Sequence, residues 1–167
     1  GLYHAEAHFG AHFEYFRQEM HLVHRVRDAQ GPLCSVPTNP NITKHFGQPP
    51  FFLLATDSAC TYTQKARIAQ QLGAAGLIVG IHKNLCREAT PQEAEDCLEN
   101  FPDMSDDGTG KSIHIPTVVI SKNYTEHLQK QDRDGRPALV EMAFKTPLRS
   151  DNVTLDLWYT PMHLPSE

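Results

Sequence analysis

The sequence predicts one α/β domain that is rich in β-strands and contains one strand–helix–strand crossover. Residues 51–55 and 76–81 form short, continuous apolar runs, which are typical of strands buried on both faces. A helical pattern separates the two runs, so we expect parallel strands joined by a right-handed crossover. A chain of 167 residues, 40% hydrophobic and 21% charged, fits a single globular core.

The crossover helix is predicted to begin at Thr61 and to end before Gly73. Thr61 is a typical N-cap residue, and Gln64, three residues later, completes the capping-box pattern. Gly73 is the residue type that commonly follows a helix C-terminus. The helix face expected to pack on the sheet carries small and apolar residues: Ala66, Ala69 and Leu72.

The remaining elements are predicted from alternating hydrophobicity and from turn signals. Strands are expected at residues 20–26, 113–120, 138–144 and 153–158, and a short helix at residues 123–131. Pro116 indicates that the strand at 113–120 is an edge strand or is bulged near its start. Residues 2–15 fit either a loop or a frayed helix.

The charge pattern argues against nucleic acid as a partner. The formal net charge is −5, whereas phosphate recognition needs clustered lysine and arginine. Acidic residues concentrate between Glu88 and Asp107, where there is no lysine or arginine. Such a segment is usually a solvated face and less often a cation site. No apolar run approaches the roughly 18 residues that a membrane span needs, so we expect no direct membrane insertion.

The cysteines and glycosylation sequons favour a chain that folds in the secretory pathway. Four cysteines without a Cys-x-x-Cys pair allow three disulfide pairings: Cys34, Cys60, Cys86 and Cys97. Sequons begin at Asn41, Asn123 and Asn152, which predicts glycans at these asparagines. Disulfides persist in oxidising compartments, so we expect a luminal or extracellular location.

Motifs for catalysis and metal binding are weak. The sequence has neither Gly-x-Ser-x-Gly nor a glycine-rich phosphate loop. His4, His8 and His12 would share one helix face, but Gly10 interrupts the segment, and we interpret them as surface or partner-facing residues. Residues 103–109 resemble half of a calcium-binding EF-hand loop, and an ordinary acidic turn is the preferred interpretation. We assign no metal, cofactor or catalytic residue.

Several features in order resemble the protease-associated (PA) domain. They are Cys60 before a helix, the helix residues 65–71, the small residues 73–76, the strand at 77–79 and the Ile-Pro strand entry at 115–122. The chain is most similar to the luminal PA domain of vacuolar sorting receptors, in segments 7–10, 68–71, 90–93 and 153–160. We therefore assign residues 1–167 to a single PA domain, in which 1–15 and 160–167 are peripheral arms or tails.

The resemblance implies an open, barrel-like β-sheet flanked by short helices, without catalytic activity. PA domains are interaction modules, and the sorting receptors use theirs to recognise peptide sorting signals on soluble cargo. Carried onto this sequence, the ligand-binding residues are Thr56, Asp57, Ser58, Ala59, Thr90, Pro91, Gln92, Glu93, Trp158, Tyr159 and Thr160. The receptors place Arg-Gly-Asp before the cysteine, where this chain has Asp57, Ser58 and Ala59. The cation that would bind a ligand carboxylate or carbonyl is therefore absent, and cargo preference should differ.

The same resemblance implies a disulfide between Cys34 and Cys60, which leaves Cys86 and Cys97 for a second. The first would fix the loop that enters the helix, and the second would close the acidic loop. We hypothesise that the second disulfide holds residues 90–93 in a shape ready for ligand.

Two functions from different classes remain. The first is a luminal cargo-binding or peptide-binding module within a membrane-anchored sorting receptor. The second is a structural or substrate-adaptor PA domain in a larger glycoprotein, transmembrane ubiquitin ligase or protease. Ten histidines add a regulatory hypothesis to the first, because they would gain positive charge between a neutral and an acidic lumen.

Overall fold

The computed structural model describes residues 4–10, 20–83, 101–144 and 153–158. In chain order the described strands are β1 (His4–Glu6), β2 (Met20–Asp28), β3 (Phe51–Thr56), β4 (Ala74–Gly80), β5 (Thr117–Ile120), β6 (Leu139–Phe144) and β7 (Val153–Trp158). The helices are α1 (Pro40–Phe46), α2 (Tyr62–Gln71) and α3 (Lys122–Arg133), with a 3₁₀ turn at Gly110–Ser112.

The strands form one seven-stranded sheet in the order β1-β5-β4-β3-β2-β6-β7. The four central strands, β5, β4, β3 and β2, run parallel to one another. Antiparallel strands flank this parallel core, β1 on β5 at one end and β6 followed by β7 at the other. The sheet curls into a half-barrel flanked by helices, which confirms the predicted α/β class and the open, barrel-like architecture.

The predicted crossover is present as β3, α2 and β4. Thr61 is the N-cap of α2, and its side-chain oxygen accepts a hydrogen bond from the Gln64 backbone N–H at 3.1 Å. The second half of the predicted capping box is replaced, because the Gln64 side-chain amide instead bonds the Cys34 carbonyl and Arg67. Gly73 follows the helix with φ of +89°, a left-handed conformation that favours glycine.

A second crossover, which the sequence patterns did not indicate, joins β2 to the parallel strand β3 through α1. Helix α1 has only seven residues, and Phe46 is its buried residue. A helix this short shows no apolar periodicity, so its Asn39 cap and the proline at its start were the available signals.

The core lies on both faces of the sheet, because neighbouring residues of the central strands point to opposite sides. Phe51 and Leu53 face the cluster that contains Ala66 and Ala69 of α2. On the other face the cluster contains Leu128 of α3 and these strand residues: Phe52, Leu54, Ile78, Val118, Val140 and Met142. The apolar runs at 51–55 and 76–81 are buried on both sides, as predicted.

The expectation for Pro116 was wrong in its placement. Strand β5 begins at Thr117, after the proline, and lies between β1 and β4 rather than at an edge. Pro116 has no N–H to donate, but its carbonyl accepts a hydrogen bond from the Leu77 N–H at 2.9 Å. The strand that covers this side of β5 is β1, so the region near Pro116 is not an exposed strand edge.

The amino-terminal segment is also corrected. Residues expected to be a loop or a frayed helix include a strand, β1, whose residues pair with β5 in register His4 to Ile120. Its first histidine is therefore in a strand, and His12 lies outside the described residues. Three residues on an edge carry too short a pattern for alternation to be recognised.

The other predicted elements are confirmed with small changes of boundary. Helix α3 covers Lys122–Arg133, and β6 and β7 cover the two alternating segments near the end of the chain. Within the described part of the chain, no helix is both long enough and apolar enough to cross a membrane.

Candidate ligand-binding loops

The chain leaves β2, β3 and β4 at the same edge of the sheet, because these strands are parallel. We call residues 29–34 the β2 loop and residues 57–60 the β3 loop. Ala29 donates its N–H to the Leu54 carbonyl at 2.9 Å, and Thr56 donates its N–H to the Gly31 carbonyl at 3.1 Å. The β2 loop is therefore joined by backbone hydrogen bonds to the end of β3, from which the β3 loop begins. The carboxyl ends of the strands are where open α/β sheets bind ligands.

A disulfide between Cys34 and Cys60 joins the same two loops. Its Cα atoms are 5.8 Å apart, and 26 residues separate the two cysteines in sequence. This pairing is the one that the resemblance to PA domains implied. Cys86, Cys97 and the loop that they were expected to close lie outside the described residues, so the second disulfide stays a prediction.

Lys65, in the first turn of α2, lies directly beneath the two loops. Its side chain is completely buried, and its Nζ donates to the Pro32 carbonyl at 2.6 Å and to the Ser58 carbonyl at 2.5 Å. Loss of hydration on burial lowers the pKa of Lys65 to about 8, and the negative charge of Asp57 only partly opposes this. From the sequence, Lys65 looked like an ordinary helix residue, because nothing in a helical pattern distinguishes a buried lysine from a solvated one.

Strained backbone conformations concentrate in the same loops. Among the described residues, the non-glycine residues with positive φ are Gln30 at 58°, Leu33 at 57° and Ala59 at 78°. A left-handed conformation costs an ordinary residue about 1–2 kcal/mol. Such conformations persist where surrounding contacts determine the backbone, and they are common at functional sites.

The β3 loop presents small and polar groups to solvent. Ser58 and Ala59 are exposed, while Thr56 and Asp57 are half-buried. The Asp57 carboxylate bonds the ring of His82, which follows β4 and is exposed. No sequence pattern marked this histidine as a neighbour of the loop, because the two residues are 25 positions apart and meet only through the pairing of β3 with β4.

An acidic turn at residues 103–109 contacts Thr61, the residue that follows the β3 loop and begins α2. Asp107 accepts hydrogen bonds from the Thr61 hydroxyl at 2.9 Å and from the N–H and the hydroxyl of Thr109. These hydrogen bonds, led by the Thr109 hydroxyl, lower the pKa of Asp107. Asp106 accepts from the N–H groups of Gly108 and Gly110. Of the carboxylates that resembled a calcium loop, those of Asp106 and Asp107 thus bind backbone N–H groups of the turn, and that of Asp103 binds the Ser105 hydroxyl and the ring of His8. The described residues contain no cluster of metal-ligating side chains.

The other residues predicted to bind ligand are only partly described. Residues 90–93, Tyr159 and Thr160 lie outside the described residues. Trp158 is the last residue of β7, paired with Leu139 of β6, and β7 is three strands away from β3 in the sheet. Their part in a site together with Thr56–Ala59 stays a prediction.

Two of the three sequon asparagines are described, and both are exposed in the first turn of a helix. Asn41 lies in α1 and Asn123 in α3. Asn152 lies outside the described residues. Glycosylation of the three asparagines stays a prediction.

The fold and these loops define the chain as a curled α/β half-barrel with a disulfide-linked pair of loops at its carboxyl edge. The family model of the PA domain matches residues 29–128, and the chain belongs to this family. It is therefore a protease-associated domain of the protein-interaction type, as the sequence predicted.

The chain is also similar to particular proteins. Vacuolar-sorting receptor 7 of Arabidopsis thaliana is 26% identical over 113 residues, which cover 65% of this chain and 17% of the receptor. Among solved structures, an aminopeptidase from Aneurinibacillus sp. strain AM-1 has 11% identity and a TM-score of 0.54, covering 93% of this chain and 29% of its own. A zinc aminopeptidase from Bacillus subtilis has 18% identity and a TM-score of 0.53, covering 89% and 32%. The identities of 11% and 18% to these two solved structures show a shared fold alone.

Proposed function

We propose that this chain is a non-catalytic, luminal or extracellular module that binds peptide sorting signals or cargo proteins as part of a receptor anchored in a membrane. The ligand-binding surface includes the β3 loop with Thr56, from which Ser58 and Ala59 project into solvent. Residues 90–93 and the segment at Trp158, Tyr159 and Thr160 complete the proposed surface.

One observation carries the proposal: the loop at the inferred ligand position is attached to the β2 loop at two points. The disulfide and Lys65 join it to the β2 loop, and the left-handed Ala59 lies between these two attachments. A loop that is ordered before binding loses less conformational entropy when a ligand arrives. This arrangement favours recognition by exposed loops.

The location rests on the similarity to a sorting receptor and on the disulfide. Disulfides such as Cys34–Cys60 persist in secretory and extracellular compartments. The receptor relative is several times longer than this chain, so membrane anchoring belongs to the proposal.

A second candidate function is a structural or substrate-adaptor role in a larger glycoprotein, ubiquitin ligase or protease. The observation that favours it is Asp57, an acidic residue where the resemblance implies an arginine, and whose carboxylate is already occupied by His82. A surface with this charge would not bind the acidic or carbonyl groups that an arginine selects.

A peptide-display selection tests the first function against the second. The oxidised 167-residue chain is used to select peptides at pH 7.4, and each is retested on Ser58→Arg and on Ser112→Arg. Ser58 is exposed in the β3 loop, whereas Ser112 is exposed ahead of β5, at the opposite edge of the parallel strands. We expect selected peptides to lose at least about tenfold in affinity on Ser58→Arg, since a bulky cation in a loop centre costs over about 1 kcal/mol.

The two variants separate the outcomes. Peptides that bind wild type and Ser112→Arg but not Ser58→Arg support the proposed surface. Selection of no peptide, or of peptides indifferent to Ser58→Arg, favours the structural role. Repeating the binding at pH 5.5 tests the histidine hypothesis, which equal affinity at both pH values would refute.

A further inference from the structure

Lys65 makes contacts that its position in a helix does not require. Its ammonium group is removed from water, and it donates hydrogen bonds to two backbone carbonyls, Pro32 in the β2 loop and Ser58 in the β3 loop. No carboxylate contacts Nζ directly within the described residues. Burial of a charge without a directly bonded counter-ion is costly to the folded state. What Lys65 supplies, and an apolar side chain of the same length would not, is the pair of hydrogen bonds to the two loops.

The two carbonyls that Lys65 binds belong to residues close to the two cysteines of the disulfide, one carbonyl in each loop. Pro32 is two residues before Cys34, and Ser58 is two residues before Cys60. The lysine and the disulfide therefore connect the same two loops at two separate points. A single connection leaves two loops free to rotate about it, whereas two connections fix their relative orientation.

The left-handed residues lie at these connections. Leu33 is next to Pro32, and Ala59 is next to Ser58. An ordinary residue leaves this conformation when its neighbours release it. The hydrogen bonds to Nζ hold the carbonyls that precede both strained residues.

We propose that Lys65 is a positioning residue, which orients the β2 and β3 loops against each other for ligand binding. The inference rests on the proposed function only in treating the β3 loop as a ligand-binding one. The orientation of the loops is itself measurable without any ligand.

Amide hydrogen exchange by NMR on the oxidised chain tests the proposal. The reporters are the N–H of Thr56, bonded to the Gly31 carbonyl, and the N–H of Cys60, bonded to the Ser58 carbonyl. The control amide is that of Leu77 in the middle of β4, bonded to the carbonyl of Pro116, which directly precedes β5. Lys65→Met keeps the aliphatic stem and removes the donors, and Lys130→Met makes the same change at an exposed lysine of α3.

In Lys65→Met we expect Thr56 and Cys60 to exchange at least about tenfold faster, because two hydrogen bonds from a charged donor are lost. Leu77 should be unaffected, and the midpoint of urea unfolding should change little, because removal of a costly buried charge offsets the loss of two hydrogen bonds. Lys130→Met should change none of these values. Unchanged reporters in Lys65→Met, or equal acceleration at Leu77, would overturn the proposal.

The wild-type chain provides a second test if Lys65→Met does not fold. Opening of the loops exposes Lys65, whose pKa then returns from about 8 towards 10.5. The open state therefore binds more protons between these values, so opening becomes less favourable as pH rises. After correction for chemical exchange, protection of Thr56 and Cys60 should rise above about pH 8 by up to about tenfold per pH unit.

Other titratable groups face this region and define the control. Asp57 lies in the β3 loop, His82 follows β4 and bonds Asp57, and Tyr62 precedes Lys65 in α2. Burial, assisted by Asp57, raises the pKa of Tyr62 above its ordinary value, so it stays neutral over the range used. Asp57→Asn removes the carboxylate and should retain the rise in protection, while a flat wild-type profile would overturn the proposal.

A negative result in the ligand selection can be distinguished from a negative result in the exchange experiment. Loosened loops without any selected peptide would contradict the proposed function and leave the role of Lys65 intact. If peptides are selected but Lys65→Met does not loosen the loops, the role of Lys65 would be contradicted and the proposed function would stand.

Discussion

A single carboxylate, that of Asp132, holds three elements together. It is 3% exposed, and it accepts hydrogen bonds from the Asp28 backbone N–H at 2.9 Å and from the His45 ring at 2.6 Å. Arg27 adds a longer contact at 3.5 Å. Asp132 in α3 is thus connected to β2 and, through His45, to α1. Three partners explain how a buried charge is tolerated at this position.

Asp132→Asn should therefore destabilise the chain by about 3 kcal/mol, because it leaves buried donors facing a neutral amide. Urea unfolding followed by circular dichroism measures this loss. Asp134→Asn is the matched control, since Asp134 is exposed and pairs with Lys130 at 3.8 Å. A surface pair of this kind contributes at most about 1 kcal/mol. Equal effects of the two substitutions would contradict the assigned role of Asp132.

At the scale of elements, α3 packs directly against Gly80, the last residue of β4. A Cβ atom at Gly80 would lie 2.2 Å from Cγ2 of Thr125 and 2.5 Å from its Oγ1. Thr125 is buried in α3, and its hydroxyl donates to the Ser121 carbonyl at 2.8 Å. The absence of a side chain at Gly80 therefore sets how closely α3 packs.

Gly80→Ala should lower the free energy of unfolding by about 1–3 kcal/mol, since α3 must move away from β4. Thermal or urea unfolding detects the change. Gly31→Ala is the control, because a Cβ atom added there would have no other atom within 4 Å, and surface changes of this kind stay within about 0.5 kcal/mol. An unchanged free energy of unfolding in Gly80→Ala would show that α3 can move away from β4 without loss of stability.

The start of α2 links this helix to the acidic turn. The Thr61 hydroxyl accepts from the Gln64 N–H and donates to Asp107. Thr61→Ala should cost about 1 kcal/mol, the usual value of an N-cap. Unfolding in urea measures the loss. Thr61→Ser retains the hydroxyl and should restore most of the stability, and an alanine variant as stable as the serine variant would argue against the cap.

At the scale of the whole molecule, the Cys34–Cys60 disulfide restricts the unfolded chain as well as the loops. It closes a segment with a separation of 26 residues. A loop of this length corresponds to about 3.5 kcal/mol in the chain-entropy account.

The double variant Cys34→Ala, Cys60→Ala should accordingly lose about 3 kcal/mol of stability. Denaturant unfolding of the oxidised wild type and of the variant measures the difference. The wild type treated with a reductant is a further comparison, although it also reduces any bond between Cys86 and Cys97. A loss below about 1 kcal/mol would show that the unfolded chain is compact enough to make the crosslink redundant.

Much of the fold could be predicted because buried strands and capped helices carry local signals. The runs at 51–55 and 76–81 are apolar throughout since both faces are covered, and Thr61 and Gly73 mark the ends of α2. Strand β1, with three residues, is too short for alternation to show, and helix α1, with seven residues, was marked only by its Asn39 cap and the proline at its start. The placement of Pro116 was wrong because a proline shows where a ladder begins but not which strand covers it.

Of the candidate site, the sequence and its resemblance to PA domains located the loop at 56–59 and the Cys34–Cys60 pair. Neither indicated that Lys65 is buried or that His82 adjoins Asp57. A lysine at a helical position looks the same whether it faces water or two carbonyls. Contacts between residues of different strands follow from the register of the sheet, which local sequence patterns do not predict.

The sequence by itself determined the α/β class, the central crossover, the ends of α2 and the family, because these depend on local periodicity, capping and ordered motifs. Only the tertiary structure decided the seven-stranded order, the position of β5 inside the sheet and the second crossover, which joins β2 to β3. The physical reason is that these features depend on contacts between distant residues. Burial of Lys65 and the pairing of Asp57 with His82 appear only when parallel strands bring their carboxyl ends to one edge.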